Sequence, residues 1–277
     1  MTGKNISHSY KTREGNLVQL VGLHHVFHLF LLKHGNSIQT HRGIIEHDNL
    51  IGKEWGSMVK SHTGNPFFIL QPSLSDILES TKRSTQIMYP KDIGFILITM
   101  GIVPGVRVIE AGSGSGVFTS ALASMVREKG RVYSYEILEE KSKLAEENTR
   151  KLGLDSYVEF KVRDIQLGFD EKNVDAIFLD LPNPFDFLHQ VQISLKPGGC
   201  FGTILPSTNQ VIKTIVELKR NSFGFIDVCE TMLRYYQVDP ERFRPTDRMV
   251  AHTGYLVFAR KVIKDDLYID QSLESEE

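Results

Sequence analysis

Glu110-Ala-Gly-Ser-Gly-Ser-Gly116 combines an acid with three glycines at alternating positions. Glycine at that spacing lets a backbone turn sharply and approach a ligand with no Cβ in the way. The dinucleotide fingerprint G-x-G-x-x-G would need glycine at 117 after Gly112 and Gly114, and residue 117 is Val. Glu136 lies about 20 residues beyond the loop, where a carboxylate can accept both ribose hydroxyls of a nucleoside. Arg163-Asp164-Ile165 could offer a side chain to an exocyclic amine and a backbone amide to a ring nitrogen. A further carboxylate opens Asp180-Leu-Pro-Asn-Pro184, whose two prolines force a rigid, extended path and so fix the acid in space. Each feature alone has a plainer reading. The glycines could serve a tight turn, Glu136 a helix N-terminus, Asp164 a turn, and Asp180 a cap or brace. In order after successive strands, the first three point to a nucleoside site.

The elements needed to position these residues follow from periodicity. Lys91–Met100, Val117–Lys129, Leu138–Leu152, Asp186–Leu195 and Gln210–Asn221 have helical spacing. Val106–Ala111, Arg131–Ile137, Val158–Arg163, Val174–Asp180 and Cys200–Leu205 are apolar strand runs between them. Phe225–Tyr235 and Thr253–Lys261 read as two last strands with no helix between, suited to antiparallel pairing. This rhythm predicts an α/β fold, a doubly wound sheet covered on both faces and closed by an antiparallel hairpin. The first 70 residues differ: Asn16–Gly22, Val26–Lys33, Ser37–Thr40 and Phe67–Leu70 are short runs separated by turn residues, predicting a small β-rich domain. The expected organisation is 1–72 for that domain, 73–263 for the α/β domain, with Ser73–Ser84 a linking helix, and 264–277 an acidic tail.

The acid-x-G-x-G-x-G form resembles the loop of class I S-adenosylmethionine-dependent methyltransferases, which have a Rossmann-like fold. Gln86-Ile-Met-Tyr89-Pro-Lys-Asp92, Asp180-Leu-Pro-Asn-Pro184, Arg248-Met-Val-Ala-His252-Thr-Gly-Tyr-Leu256 and Gly43–Gly52 further resemble the tRNA adenine-N1 methyltransferases that modify position 58 in the T loop. The resemblance implies S-adenosylmethionine as methyl donor, tRNA as substrate and Asp180 as the catalytic carboxylate. It implies Tyr89 and His252 as walls of the base pocket, although a core aromatic and a satisfied structural histidine are the plainer readings. It assigns to the cofactor Gln86, Gly112, Gly114, Ser115, Gly116 and Val117, and also Phe118, Glu136, Lys141, Asp164, Ile165 and Asp180. It further implies a homotetramer, as in bacteria and archaea, whereas the eukaryotic form pairs the catalytic chain with a noncatalytic one. Some archaeal members also modify adenine 57.

Composition narrows the class without naming it. With 41% hydrophobic and 24% charged residues, the 277-residue chain reads as an ordinary globular protein rather than a disordered one. No apolar run is long enough to cross a bilayer and Met1–His8 lacks the apolar core of a signal peptide, so a cytoplasmic location is expected. Two cysteines, Cys200 and Cys229, are too few for a disulfide framework, and both are expected as buried thiols. His24, His25 and His28 lack accompanying ligands at metal spacing, so no metal is expected. Trp55 is expected in a core or an interface. Residues 1–65 carry seven Lys/Arg against four acids, including Lys53 and Lys60, and could meet phosphates together with Arg242, Arg244 and Arg248. Three alternatives stay open: methylation of a protein or small molecule, a noncatalytic tRNA-binding subunit, and, disfavoured by Val117, a dehydrogenase.

Overall fold

The computed structural model describes residues 10–22, 27–80 and 88–263. The chain divides into two units, the first running to Lys82 and joined by Asn148–Gly153, the second comprising Arg83–Glu147 and everything from Leu154 onward. The division falls later than residue 72 because the linking helix packs with the first unit. That helix spans Leu74–Ser80, with Ile77 and Leu78 buried, and leans on the second strand of the first unit.

In the first unit β1 (Leu17–Gly22), β2 (Phe27–Leu31), β5 (Met58–Lys60) and β6 (Pro66–Leu70) form an antiparallel sheet in the order β2-β1-β6-β5. Strands β3 (Ser37–Thr40) and β4 (Gly43–Glu46) form a separate hairpin. Phe67 and Ile69 point inward while Phe68 between them is exposed, the alternation expected of a sheet with one buried face. They join Val18, Leu20, Ile45 and Leu50 in a core against which Trp55 packs. Strands β4 and β5 escape the sequence pattern, and β5, three residues long, is too short to display alternation. Val26, His24 and His25 lie outside the described residues.

The second unit contains, after α1 (Leu74–Ser80) of the first, α2 (Pro90–Thr99), β7 (Arg107–Ala111), α3 (Val117–Val126), β8 (Arg131–Glu136), α4 (Glu139–Lys151, its end belonging to the first unit), β9 (Val158–Val162) and β10 (Val174–Leu179). These are followed by α5 (Leu188–Ser194), β11 (Leu195–Leu205), α6 (Thr208–Arg220), β12 (Phe223–Cys229) and β13 (Tyr255–Lys261). The sheet order is β12-β13-β11-β10-β7-β8-β9. Pairs from β11 to β9 are parallel, and β13 is antiparallel to both neighbours. This is the Rossmann-like, doubly wound sheet with its antiparallel C-terminal pair. Ile109, Ile177, Leu179, Phe201 and Val257 are fully buried, which is why these strands read as continuous apolar runs. Each such side chain contributes about 1.5–3 kcal/mol by leaving water. The chain runs outward through β7, β8 and β9, then returns to the other side of β7 with β10. That reversal opens a crevice at the carboxyl ends of β7 and β10, where sheets of this kind bind ligands.

Several boundaries differ from the expected ones for local reasons. Helix α3 stops at Val126 because Arg127 leaves helical geometry and Glu128 takes φ 74°. Strand β12 ends at Cys229 rather than Tyr235, since its partner begins at Tyr255 and the last rung is Cys229 with Leu256. Strand β11 begins at Leu195: Val174 pairs with Leu195 and Ala176 with Cys200, so Lys196-Pro-Gly-Gly bulges out of the ladder. Both cysteines are free, Cys200 buried and Cys229 half-buried, and burial pushes both thiols up. No helix among the described residues is long and apolar enough to cross a membrane.

Candidate active site

The sheet register lines up three carboxyl-edge positions. Ala111 is paired with Tyr135 on β8 and with Leu179 on β10, so Gly112, Glu136 and Asp180 stand side by side one residue further on. Backbone bonds extend the ladder to them: the Gly112 amide donates to the Tyr135 carbonyl (2.9 Å) and the Asp180 amide to the Ala111 carbonyl (2.9 Å). At Gly112, φ is +95° and a Cβ would lie 2.4 Å from the Asp180 carbonyl oxygen, so only glycine lets the two strand ends close up. At Gly116, φ is +78° and a Cβ would meet Ala145 Cα at 2.8 Å. That glycine serves the junction between loop and helix.

A cavity of about 330 Å³ opens on this row, lined by Gly112–Ser115, Val117, Phe118, Glu136, Lys141 and Asp180 with Met88, Glu110 and Leu181 among the others. Its size is that of a small-molecule site. Glu136 is buried and held by backbone amides: Gly114 donates to Oε2 (3.2 Å), and Ile137 (3.0 Å) and Leu138 (3.2 Å) donate to Oε1. Glu110 is fully buried one layer below. Its Oε2 accepts from Thr119 Oγ1 (2.6 Å) and Ser134 Oγ (2.8 Å), while Oε1 has no protein partner among the described residues. Burial, opposed by those two hydroxyls and reinforced by Asp180 and Glu136, pushes Glu110 up to about 8. An orphaned buried oxygen beside a cavity is the kind of group that a cationic ligand satisfies. S-adenosylmethionine carries an ammonium, a sulfonium and a ribose diol. Glu110, Glu136 and the glycine-lined backbone therefore fit it.

Asp180 also borders a second cavity of about 240 Å³, whose walls include Met88, Tyr89, Asp92, Ile204, Pro206 and Thr253. Asp180 is exposed at the cavity mouth yet crowded by surrounding protein, and that crowding pushes it up to about 6. Asp180 thus stands between two adjoining spaces.

Residues 68–244 match the family described as tRNA methyltransferase complex GCD14 subunit, and residues 11–59 match the TrmI-like N-terminal family. A tRNA (adenine(57)-N(1)/adenine(58)-N(1))-methyltransferase TrmI from Methanocaldococcus jannaschii is 34% identical over 256 residues, covering 83% of this chain and 90% of its own. The Thermus thermophilus tRNA (adenine(58)-N(1))-methyltransferase TrmI is 32% identical over 237 residues, covering 84% and 92%.

The chain belongs to the GCD14/TrmI methyltransferase family.

Among solved structures, an S-adenosylmethionine-dependent O-methyltransferase from Thermotoga maritima superposes with a TM-score of 0.81 at 42% identity, covering 93% of this chain and 97% of that one. A TrmI from Aquifex aeolicus gives 0.74 at 34%, covering 92% and 100%.

Eight of the expected cofactor residues, Gly112, Gly114, Ser115, Val117, Phe118, Glu136, Lys141 and Asp180, line the first cavity. Gly116, Asp164 and Ile165 do not. Asp164 caps the turn Ile165–Leu167, its Oδ1 accepting from the Gln166 amide (2.9 Å), and it sits beyond the row because β9 ends at Val162, the partner of Glu136, two residues before it. Gln86 lies outside the described residues. Tyr89 caps α2 and lines the second cavity. His252 lines neither cavity; it precedes the lining Thr253 in the chain, with Nδ1 2.6 Å from Glu230 Oε2 and its ring 4.7 Å from that of Tyr255. The Glu230 carboxylate holds this imidazole above its ordinary range. Sequence reasoning missed Glu110, Met88 and the Leu181-Pro182 pair as lining residues. Glu110 could have been found, since an acid in the penultimate position of a buried strand needs a reason to be there.

Proposed function

We propose that this chain transfers the methyl group of S-adenosylmethionine to N1 of adenine 58 in the T loop of tRNA. The observation that carries it is Asp180, a single carboxylate shared by a nucleoside-sized donor cavity and a second cavity walled by Tyr89. S-adenosylmethionine, when bound, supplies an electrophilic methyl on sulfur. Glu136 would take its ribose hydroxyls and Glu110 its cationic amino-acid end. Tyr89 stacks on the acceptor base, and Asp180 accepts from its N6 amine. As N1 takes the methyl, positive charge spreads over N1, C6 and N6, and the carboxylate facing it lowers the energy of that arrangement. Holding the lone pair in line and keeping water out supplies much of the rest.

The T-loop base must first leave its stack, at a cost of a few kcal/mol that phosphate contacts elsewhere offset. Arg242 and Arg248 are exposed, as are Lys53 and Lys60 of the first unit, and these are assigned to that work. Modification of adenine 57 as well is supported by the Methanocaldococcus relative's description. A homotetramer, checked by light scattering, is supported by exposed apolar residues such as Met232, Val238 and Phe243.

The Thermotoga structure's description as an O-methyltransferase motivates a second reading, an oxygen acceptor. Incubation with unmodified tRNA and labelled donor, followed by nucleoside mass spectrometry, separates the two. 1-Methyladenosine is expected; ribose-methylated nucleosides alone, or no transfer to tRNA, would reject the proposal.

A further inference from the structure

The segment between β12 and β13, residues 230–254, leaves the sheet and returns to it with most of its side chains exposed. Its two ends converge on one buried carboxylate. Asp92 has no exposed surface and stands in the first turn of α2, where the helix dipole favours an acid. Its Oδ1 accepts from Thr231 Oγ1 and from Lys91 Nζ (2.9 Å), and its Oδ2 accepts from Thr253 Oγ1 (2.7 Å). Lys91 Nζ, itself 8% exposed, also donates to the Thr231 carbonyl (2.9 Å), Thr231 Oγ1 (3.1 Å) and Thr253 Oγ1 (2.5 Å). Each threonine hydroxyl therefore accepts from the ammonium and donates to the carboxylate. The three N–H of the ammonium are shared among four acceptors, so one of its bonds is bifurcated.

This cluster sits in the wall of the second cavity, of which Asp92 and Thr253 are both lining residues. Three neighbours of the cluster are the groups that shape the acceptor space. The Asp92 amide donates to the carbonyl of Tyr89 (3.0 Å), the cap of α2. His252 precedes Thr253, and its partner Glu230 precedes Thr231. Gly254 follows Thr253, and a Cβ there would lie 2.7 Å from Ile204 Cγ1, on another cavity wall. A charged pair is a costly way to hold a fold together, because desolvation cancels much of the attraction. What it supplies here is direction: one carboxylate with two fixed oxygens, one for each end of the excursion.

We infer that Asp92 is a positioning residue for the acceptor, a clasp that joins both ends of the 230–254 excursion to the first turn of α2 and thereby sets Tyr89 and His252 around the base. This role rests on reading the second cavity as the acceptor site. Although Asp92 lines that cavity, both its oxygens are engaged by Thr231, Thr253 and Lys91, so it acts through these partners.

Replacing Asp92 would strand the Lys91 charge and endanger folding, so the test cuts the other side. Thr231→Val with Thr253→Val leaves the Lys91–Asp92 pair intact and removes both hydroxyls. The expected result is donor affinity by calorimetry within about twofold of wild type and kcat/KM for tRNA down roughly 100-fold, the scale of a 1 Å misplacement. The conservative counterpart, Thr231→Ser with Thr253→Ser, keeps both hydroxyls and should restore turnover to within a few fold. A valine pair that methylates tRNA at the wild-type rate, or a serine pair as impaired as the valine pair, overturns the clasp. Amide hydrogen exchange gives a readout that does not depend on the acceptor. Exchange should quicken over 230–254 and around Tyr89 in the valine pair, while β7 and β10 keep their protection. Unchanged exchange there sinks the clasp, whereas a wild-type chain that leaves tRNA unmethylated sinks the acceptor reading instead.

Discussion

At the scale of single residues, three carboxylates around one cavity are set to different tasks by their surroundings. Glu136 is held by three backbone amides, Glu110 has an orphaned oxygen in the core, and Asp180 looks out on two spaces. Asp180 is useful as a charge stabiliser only when ionised, and burial pushes it up to about 6. Turnover should therefore rise with pH through a limb centred at or below about 6, because a bound sulfonium pulls the acid down. A kcat profile measured from about pH 4.5 to about 8.5, wide enough to span both protonation states, checks this; a flat acid side would contradict it. Glu110 gives a stability signature of the opposite kind. Its folded value, about 8, lies above the ordinary 4.5, so the folded state binds the proton more tightly. Its contribution is complete below about 4.5 and is lost as pH rises towards 8. Each pKa unit is worth about 1.4 kcal/mol, and each kcal/mol about 2–4 °C for a domain of this size. The melting temperature of the ligand-free protein should thus fall by several degrees between about pH 5 and about pH 8, and Glu110→Gln should flatten that slope. An equal slope in the variant would remove Glu110 as its source.

At the scale of elements, the site is a consequence of register. Ala111, Tyr135 and Leu179 share one level of the sheet, and Gly112, Glu136 and Asp180 follow one residue later. Adding a methyl at Gly112 would set a Cβ against the Asp180 carbonyl at 2.4 Å in a backbone conformation that side chains avoid. Gly112→Ala should lower donor affinity at least tenfold and the melting temperature by several degrees, by calorimetry and thermal unfolding; wild-type affinity would show that β7 and β10 can part without consequence. The glycine loop, the succession of strands and helices up to β11 and the acid at 180 were legible in sequence because each is written in a few adjacent residues. What was not legible is long-range. That Glu110 has a free oxygen depends on Thr119 and Ser134 both choosing the other one, and that Asp164 faces a turn depends on where β9 ends against Glu136. The bond from Thr231 and Thr253 to Asp92 spans about half the chain, and no local pattern announces it. The 3-residue β5 and the early end of β12 escaped for the same reason, being set by partners and not by their own periodicity.

At the scale of the whole molecule, the charge is arranged for a polyanion without being dominated by it. The net charge is only −2, yet the first 65 residues hold seven Lys/Arg against four acids. Charge reversal at Lys53 and Lys60, as Lys53→Glu with Lys60→Glu, should weaken tRNA binding and make the dependence of log affinity on log salt shallower by about two contacts. Donor affinity should not change. Equal tRNA binding by the reversed variant would move the phosphate contacts elsewhere. The first unit, on this reading, supplies affinity, while the second supplies chemistry, and the two can be impaired separately. The central claim is that Asp180 faces both donor and acceptor and works on the reaction, not on the fold. The most direct measurement is single-turnover methylation of tRNA by Asp180→Asn, with donor binding followed by calorimetry on the same preparation. The rate should be lowered by about 10²–10³ with donor affinity within a few fold of wild type. A variant that methylates tRNA at the wild-type rate would contradict it.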